Sequence, residues 1–74
     1  MSMTPKEKAL AQFGSHLRIL REGQGISIHE LSARAGLEYS QVQKTEKGRV
    51  NLTLTTILAL ADGLNITPDV LLKY

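Results

Sequence analysis

The chain has 74 residues, no cysteine and a formal net charge of +2, which predicts one domain with neither a disulfide nor a thiolate metal site. No apolar run approaches the roughly 18 residues of a membrane span, and the N-terminus lacks a signal-peptide pattern, so we expect a cytoplasmic protein without a membrane partner. Positive charge concentrates in residues 31–50, which hold four basic and two acidic residues. A basic face attracts polyanions, although a patch of this size is more often an ordinary solvated surface.

The hydrophobic pattern predicts an all-α fold, and the first helix has clear boundaries. Thr4 and Glu7 have the spacing of a capping box, and Pro5 suits the first helical position. Apolar residues then recur at spacings of three and four, which predicts one buried stripe. The stripe consists of Leu10, Phe13, Leu17 and Leu20. Two glycines within residues 22–25 end this helix.

Four further short helices complete the predicted domain, which spans residues 1–74. The second begins at Ser27, which has capping-box spacing to Glu30, and the third follows a glycine turn. Thr53 is the expected cap of the fourth helix. The predicted buried stripe of the fourth helix is Leu54, Ile57, Ala61 and Leu64. Thr67, as a cap, and Pro68 begin a brief apolar fifth helix.

The second and third helices are joined through Gly36, which can adopt a positive φ in the turn. Ser32 is small enough for the two helices to approach closely, and Val42 can fill the angle between them. The residues that remain outside on the third helix are polar: Tyr39, Ser40, Gln43 and Lys44. A helix of this kind enters the DNA major groove with its N-terminal residues at the base edges. On composition alone, the alternative is an ordinary solvated helix face.

Residues 13–72 resemble the phage repressor and Cro proteins, the XRE family of helix-turn-helix proteins. The resemblance rests on "FGSHLRILRE", "SIHELSARAGLEYSQVQKTEKG" and "NLTLTTILALADGLNITPDVLL". It implies a compact, five-helix, lambda-repressor-like fold with the helix-turn-helix at about residues 27–47. It also implies double-stranded DNA as the partner, and usually a homodimer. Compact members of this family include controller proteins of restriction-modification systems, antitoxin repressors and phage repressors.

The resemblance also assigns roles to individual residues. It places Tyr39, Ser40 and Lys44 at base-reading positions, with Gln43 beside them. The positions that it implies for contacts to the DNA backbone are Ser27, Ile28, Lys47, Arg49 and Asn51. Arg21 and Glu46 match a family pair that bridges the first helix to the third. The chain departs from the family pattern at Ile28, Glu38, Thr45 and Leu52, where a polar residue, a Ser or Thr cap, an apolar residue and a proline are common.

Apolar residues near the C-terminus exceed what one small core can bury. They are Leu58, Leu60, Val70, Leu72 and Tyr74. Some of them can simply be exposed, as is common in soluble proteins. Together with the resemblance, they predict a homodimer face.

The remaining residues do not form a pattern that is typical of a catalytic or metal site. His16 and His29 lack partners at metal-ligand spacing, the serines lack a His–Asp constellation, and no strand precedes the glycines as a phosphate loop requires. We therefore expect no catalytic residue, no metal, no cofactor and no enzyme activity. The predicted function is sequence-specific transcriptional regulation by a homodimer on an inverted-repeat operator. The alternative is a protein-interaction module, such as an antitoxin-like protein that binds a protein partner, for which the Tyr39–Lys44 face would not be required.

Overall fold

A computed structural model of the chain describes residues 2–74. Within these residues the secondary structure is entirely helical, so the all-α prediction of five helices is confirmed. The helices are α1 (Pro5–Gly23), α2 (Ile28–Ala35), α3 (Tyr39–Glu46), α4 (Leu54–Gly63) and α5 (Pro68–Leu71). Over the same residues, none of these helices combines the length and the hydropathy that crossing a bilayer requires.

Side-chain caps define the start of most helices. At α1, Thr4 Oγ1 accepts from the Glu7 N–H at 3.1 Å while Glu7 Oε1 accepts from the Thr4 N–H at 2.9 Å. The Thr4 N–H also lowers the pKa of the Glu7 carboxyl. Ser27 accepts from the backbone of α2, and Thr53 accepts from that of α4. The predicted cap at Thr67 is wrong in one respect: the residue occupies the N-cap position of α5, but its side chain makes no capping hydrogen bond.

All five helices contribute residues to the hydrophobic core. Its buried apolar residues are Phe13, Leu17, Leu31, Val42, Leu60, Ala61, Leu64 and Leu71. Helix α2 packs on α4, α3 packs on both α1 and α2, and α5 closes the end of α4. This arrangement holds α2 and α3 from behind and leaves the outer side of α3 without a covering element.

The structure corrects the predicted faces of α4. Leu60 is fully buried in the core, so its assignment to a dimer face is wrong, whereas Leu54 of the predicted buried stripe is 70% exposed. Helix α4 carries apolar residues around most of its circumference. Periodicity alone therefore does not identify the buried side, which is decided by the position of α2 and α5.

The C-terminal end of α3 lies directly on the backbone of α1. A Cβ atom at Gly14 would lie 2.5 Å from the Thr45 carbonyl oxygen and 2.6 Å from that of Glu46. Gly48, in the turn after α3, has a φ of +69°, and a Cβ there would lie 2.8 Å from Ala11 Cα. Both positions require glycine because the two backbones approach too closely for a side chain.

Gly14→Ala is expected to lower the free energy of unfolding by about 1–3 kcal/mol, since the added methyl group must displace the end of α3. Gly23→Ala in the same helix is the matched control, because a Cβ there meets no atom within 4 Å. We expect it to leave stability unchanged or raise it by up to about 1 kcal/mol. Urea unfolding of both variants measures the difference. Equal stability of the two variants would contradict the close contact between α1 and α3.

Candidate nucleic-acid interface

The turn between α2 and α3 fixes the orientation of α3. Gly36 adopts a φ of 68°, and the Leu37 N–H then donates to the Ser32 carbonyl at 2.9 Å. Ser32 is buried, and its hydroxyl donates to the His29 carbonyl oxygen at 2.8 Å. Val42 is fully buried beneath α3. Each predicted feature of the turn is therefore present, and the inner side of α3 is held in place.

The outer face of α3, formed by Tyr39, Ser40, Gln43 and Lys44, combines aromatic, hydroxyl, amide and cationic groups. Tyr39 is 40% exposed. Ser40 and Lys44 are also exposed, and Gln43 is partly buried. Thr45 points the other way and is buried, where its hydroxyl donates to the Gln41 carbonyl oxygen at 2.7 Å. The structure thus places all four residues of the predicted base-reading set on one helix and leaves at least part of each accessible.

Arg21 connects three parts of the chain. Its Nε lies 2.6 Å from Glu46 Oε2, its Nη2 donates to Glu46 Oε1 at 3.0 Å, and its Nη1 donates to the Ile26 carbonyl oxygen at 2.8 Å. The side chains of Arg21 and Glu46 are only 11% and 6% exposed. Hydrogen bonding to Glu46 raises the pKa of the Arg21 guanidinium. This set of contacts, the Arg21 bridge, joins α1 to the end of α3 and to the residue before the Ser27 cap.

The residues expected at the DNA backbone do not share one site. Ile28 and Lys47 line a cleft of about 200 Å³ between α1, α2 and α3, beside Gln43. Asn51 lines a separate cleft of about 360 Å³ with Ser40 and Lys44 of the outer face. Ser27 and Arg49 are exposed, and neither lines these two clefts. The predicted backbone set therefore surrounds α3 rather than forming one cluster.

Two residues that the sequence analysis did not place at the interface lie beside it. Arg18 lines the same cleft as Lys47, and its guanidinium is 3.2 Å from Glu22 in an exposed pair. Arg18 lies one helical turn before Arg21, and this spacing could have indicated that the two residues share a face of α1. His29 of α2 lies against Tyr39, with ring centroids 4.4 Å apart and ring planes inclined by 37°. Sequence periodicity gives no indication of this pair, because it depends on the angle between α2 and α3.

The C-terminal apolar face, formed by Leu58, Val70, Leu72 and Tyr74, is exposed. Two contacts hold the end of the chain against α1: His16 Nε2 lies 3.1 Å from the Val70 carbonyl oxygen, and the Tyr74 ring meets the Phe13 ring edge-on at 6.0 Å. Leu60 is absent from this face because it belongs to the core. The remaining four predicted residues are accessible for contact with another chain.

Groups suited to bind a metal do not occur in the described part of the chain. No three His, Asp or Glu side chains among residues 2–74 come together in a cluster that could hold an ion. The chemistry of the outer face of α3 is instead that of hydrogen-bond donors and acceptors with one cation.

Comparisons with known proteins agree on one architecture. The family described as "Helix-turn-helix domain" matches residues 12–73. An uncharacterized HTH-type transcriptional regulator, y4dJ of Sinorhizobium fredii, is 33% identical over 54 residues, which cover 73% of this chain and 70% of that protein. The restriction-modification controller protein C.AhdI of Aeromonas hydrophila superimposes with a TM-score of 0.82 at 42% identity, over 84% of this chain and 94% of that one. A hypothetical transcription factor, NHTF, from Neisseria has a TM-score of 0.82 at 26% identity, over 97% of this chain and 83% of that one.

Arg21→Ala is expected to lower the free energy of unfolding by about 3–5 kcal/mol, because it leaves the buried Glu46 carboxylate without its partner. Arg18→Ala is the matched control. It also removes an arginine from α1, but the ion pair of Arg18 with Glu22 is exposed. Such a pair contributes about 0–1 kcal/mol. Denaturant melts of both variants give the comparison, and an unchanged melt for Arg21→Ala would refute a structural role for the bridge.

Proposed function

The chain belongs to the helix-turn-helix family of transcription regulators, and on that premise we propose that it binds double-stranded DNA sequence-specifically as a homodimer. A helix-turn-helix domain implies DNA binding, and transcription regulators of this family are not enzymes. One observation carries the proposal: α3 is fixed from behind by the Arg21 bridge and Val42, while its outer face is accessible and polar. A rigid helix that presents hydrogen-bonding side chains suits a groove whose base edges are donors and acceptors.

The dimensions and chemistry of α3 fit the major groove. An α-helix with its side chains is about 10–12 Å across, which fits the groove width of about 12 Å. Lys44 can donate to the O6 and N7 acceptors of guanine, and the Ser40 hydroxyl can donate or accept. Tyr39 adds a ring with a polar hydroxyl at the start of the helix. We assign these three residues, with Gln43, to base reading.

The DNA backbone is proposed to lie along the start of α2 and the turn after α3. The first N–H groups of a helix have no partner within it and favour phosphate, so Ile28 offers its backbone N–H although its side chain is apolar. Beside it, Arg18 and Lys47 line the same cleft as two cations. Arg49 and Asn51 extend the contact past the end of α3. Ser27 remains in this set by its position, although its hydroxyl also caps α2.

A homodimer would let the protein read a longer DNA site than one subunit can. One recognition helix reads only a few base pairs, so a monomer would discriminate poorly. Two copies joined through the C-terminal apolar face can present two α3 helices to successive major grooves, about 34 Å apart on one side of the DNA. Leu58, Val70, Leu72 and Tyr74 supply the accessible apolar surface for this contact. Regulation in the cytoplasm would then follow from protein concentration through dimerisation.

A protein partner is the second candidate. Met3 and Ile19 are exposed apolar residues that line a cleft of about 500 Å³ together with Tyr74. An antitoxin-like protein could use such a surface to bind another protein. In that case, substitutions on the outer face of α3 would leave the biological activity unchanged.

Selection of bound sites from random double-stranded DNA tests the proposed function directly. The expected product is an inverted repeat whose half-sites are centred about 10 base pairs apart. Selected sequences that share no motif would contradict sequence-specific binding, and a single asymmetric motif would contradict the dimer.

Substitutions should separate the two classes of DNA contact. Lys47→Ala and Arg49→Ala are expected to weaken binding to all DNA alike and to reduce the salt slope of log K by about one unit each. Lys44→Ala and Ser40→Ala are expected to change the preferred sequence, at about 1–3 kcal/mol per lost base contact. Arg34→Ala, which removes an exposed arginine paired with Glu30, is the control for loss of charge. Equal weakening of specific and random DNA by Lys44→Ala would refute its assignment to base reading.

Leu72→Asp is expected to give a folded monomer with much weaker operator affinity, because it places a carboxylate in the proposed apolar contact. Ala33→Asp adds the same charge at an exposed position of α2 and should leave the sedimentation coefficient unchanged. Sedimentation velocity and a DNA titration on the same samples provide the measurements. A wild-type protein that stays monomeric at high concentration and binds one half-site at full strength would rule out the dimer.

A further inference from the structure

An aromatic pair lies across the two helices of the helix-turn-helix. The rings of His29, the second residue of α2, and Tyr39, the first residue of α3, have centroids 4.4 Å apart and planes inclined by 37°. The two rings are therefore in close, tilted contact, at the short end of the roughly 4.5–7 Å separation of interacting aromatic rings. His29 itself stands on a fixed backbone, since its carbonyl oxygen accepts the hydrogen bond from the buried Ser32 hydroxyl.

Tyr39 is the residue of the outer face that this contact can hold in place. It stands at the very start of α3 and is 40% exposed, and the preceding Glu38 makes no side-chain cap. Without a neighbour to hold it, a side chain can occupy more than one staggered rotamer. Any interaction that holds the ring in one rotamer before DNA arrives removes an ordering cost at the moment of binding.

We propose that His29 is a positioning residue for base recognition: its imidazole holds the Tyr39 ring in the orientation that meets the base edges. The inference rests on the proposed function, in which Tyr39 reads bases. His29 acts through Tyr39 and forms no contact with DNA itself. Sequence preference at the position read by Tyr39 is therefore set by two residues, one on each helix.

The free protein tests the ring contact without DNA. The ring protons of His29 are expected to resonate upfield of those of a solvated histidine, because the imidazole lies close against the Tyr39 ring. Tyr39→Leu should return them to ordinary values, while the ring protons of His16 stay in place. His29 resonances that do not respond to Tyr39→Leu would overturn the proposal, whatever the protein binds.

DNA binding tests the positioning role on the selected site and on single-base variants of it, at one pH and over a series of salt concentrations. Tyr39→Ala is expected to flatten the preference at one or two base positions. His29→Ala should flatten the same positions by roughly 3- to 10-fold, the range expected for loss of an aromatic pair. His29→Phe keeps an aromatic ring and should retain the preference, and the double variant His29→Ala with Tyr39→Ala should match Tyr39→Ala alone.

Each other outcome has a distinct meaning. If His29→Phe is as defective as His29→Ala and both lower the salt slope by about one unit, His29 contacts phosphate directly and the positioning role is overturned. If Tyr39→Ala alters the preference while His29→Ala does not, the inference fails and the proposed function stands. If Tyr39→Ala leaves the preference unchanged, the base-reading role of Tyr39 fails, and the inference fails with it. His16→Ala is the control histidine, and melting curves confirm that every variant is folded.

Discussion

The placement of the helix-turn-helix depends on one guanidinium group. Arg21 donates two hydrogen bonds to Glu46 and one to the Ile26 carbonyl oxygen. The bonds to Glu46 fix the end of α3 relative to α1. The bond to Ile26 fixes the residue that precedes the cap of α2. Since a planar guanidinium offers its donors in a fixed fork, the two helices are positioned relative to the same rigid group. Glycine at positions 14 and 48 provides the steric complement, because it lets the end of α3 lie on the α1 backbone.

The same bridge shapes the charge that α3 displays. Glu46 is the one acidic residue of the helix, and it is buried against Arg21. Its charge is therefore balanced within the protein, and the accessible charge of α3 and its C-cap comes from Lys44 and Lys47. Glu38, before α3, is exposed, and its position at the positive end of the helix dipole favours a carboxylate. A helix with few free carboxylates is compatible with a polyanionic groove. In α3 this property has two causes: the helix contains one acidic residue, and that residue is paired with Arg21.

Features that depend on local sequence could be predicted from the residues themselves. Among contacts between distant segments, the pair of Arg21 and Glu46 was expected only from the family resemblance, and others were not expected at all. The capping box of Thr4 and Glu7 and the turn at Gly36 follow from residues only a few positions apart, and both are present. The prediction for Leu60 is wrong because α4 is apolar on several sides, so that only the packing of α2 and α5 identifies the buried one. For Gly14 the sequence offers no more than a glycine inside a helical pattern, whereas the reason for it lies in carbonyl groups from α3. His29 and Tyr39 meet because of an interhelical angle, which no periodicity encodes.

The division of α3 into a fixed inner side and an accessible outer side has a consequence for divergence and for engineering. Val42, Thr45 and Glu46 carry the attachment of the helix to the rest of the protein. Positions 39, 40 and 44 lie outside the core and can be exchanged without disturbing that attachment. Under the proposed base-reading role, new target preferences can therefore arise by substitution on a constant scaffold. Position 29 should be varied together with these three positions. A residue at 29 that holds a tyrosine at 39 in place need not do so for another side chain at 39.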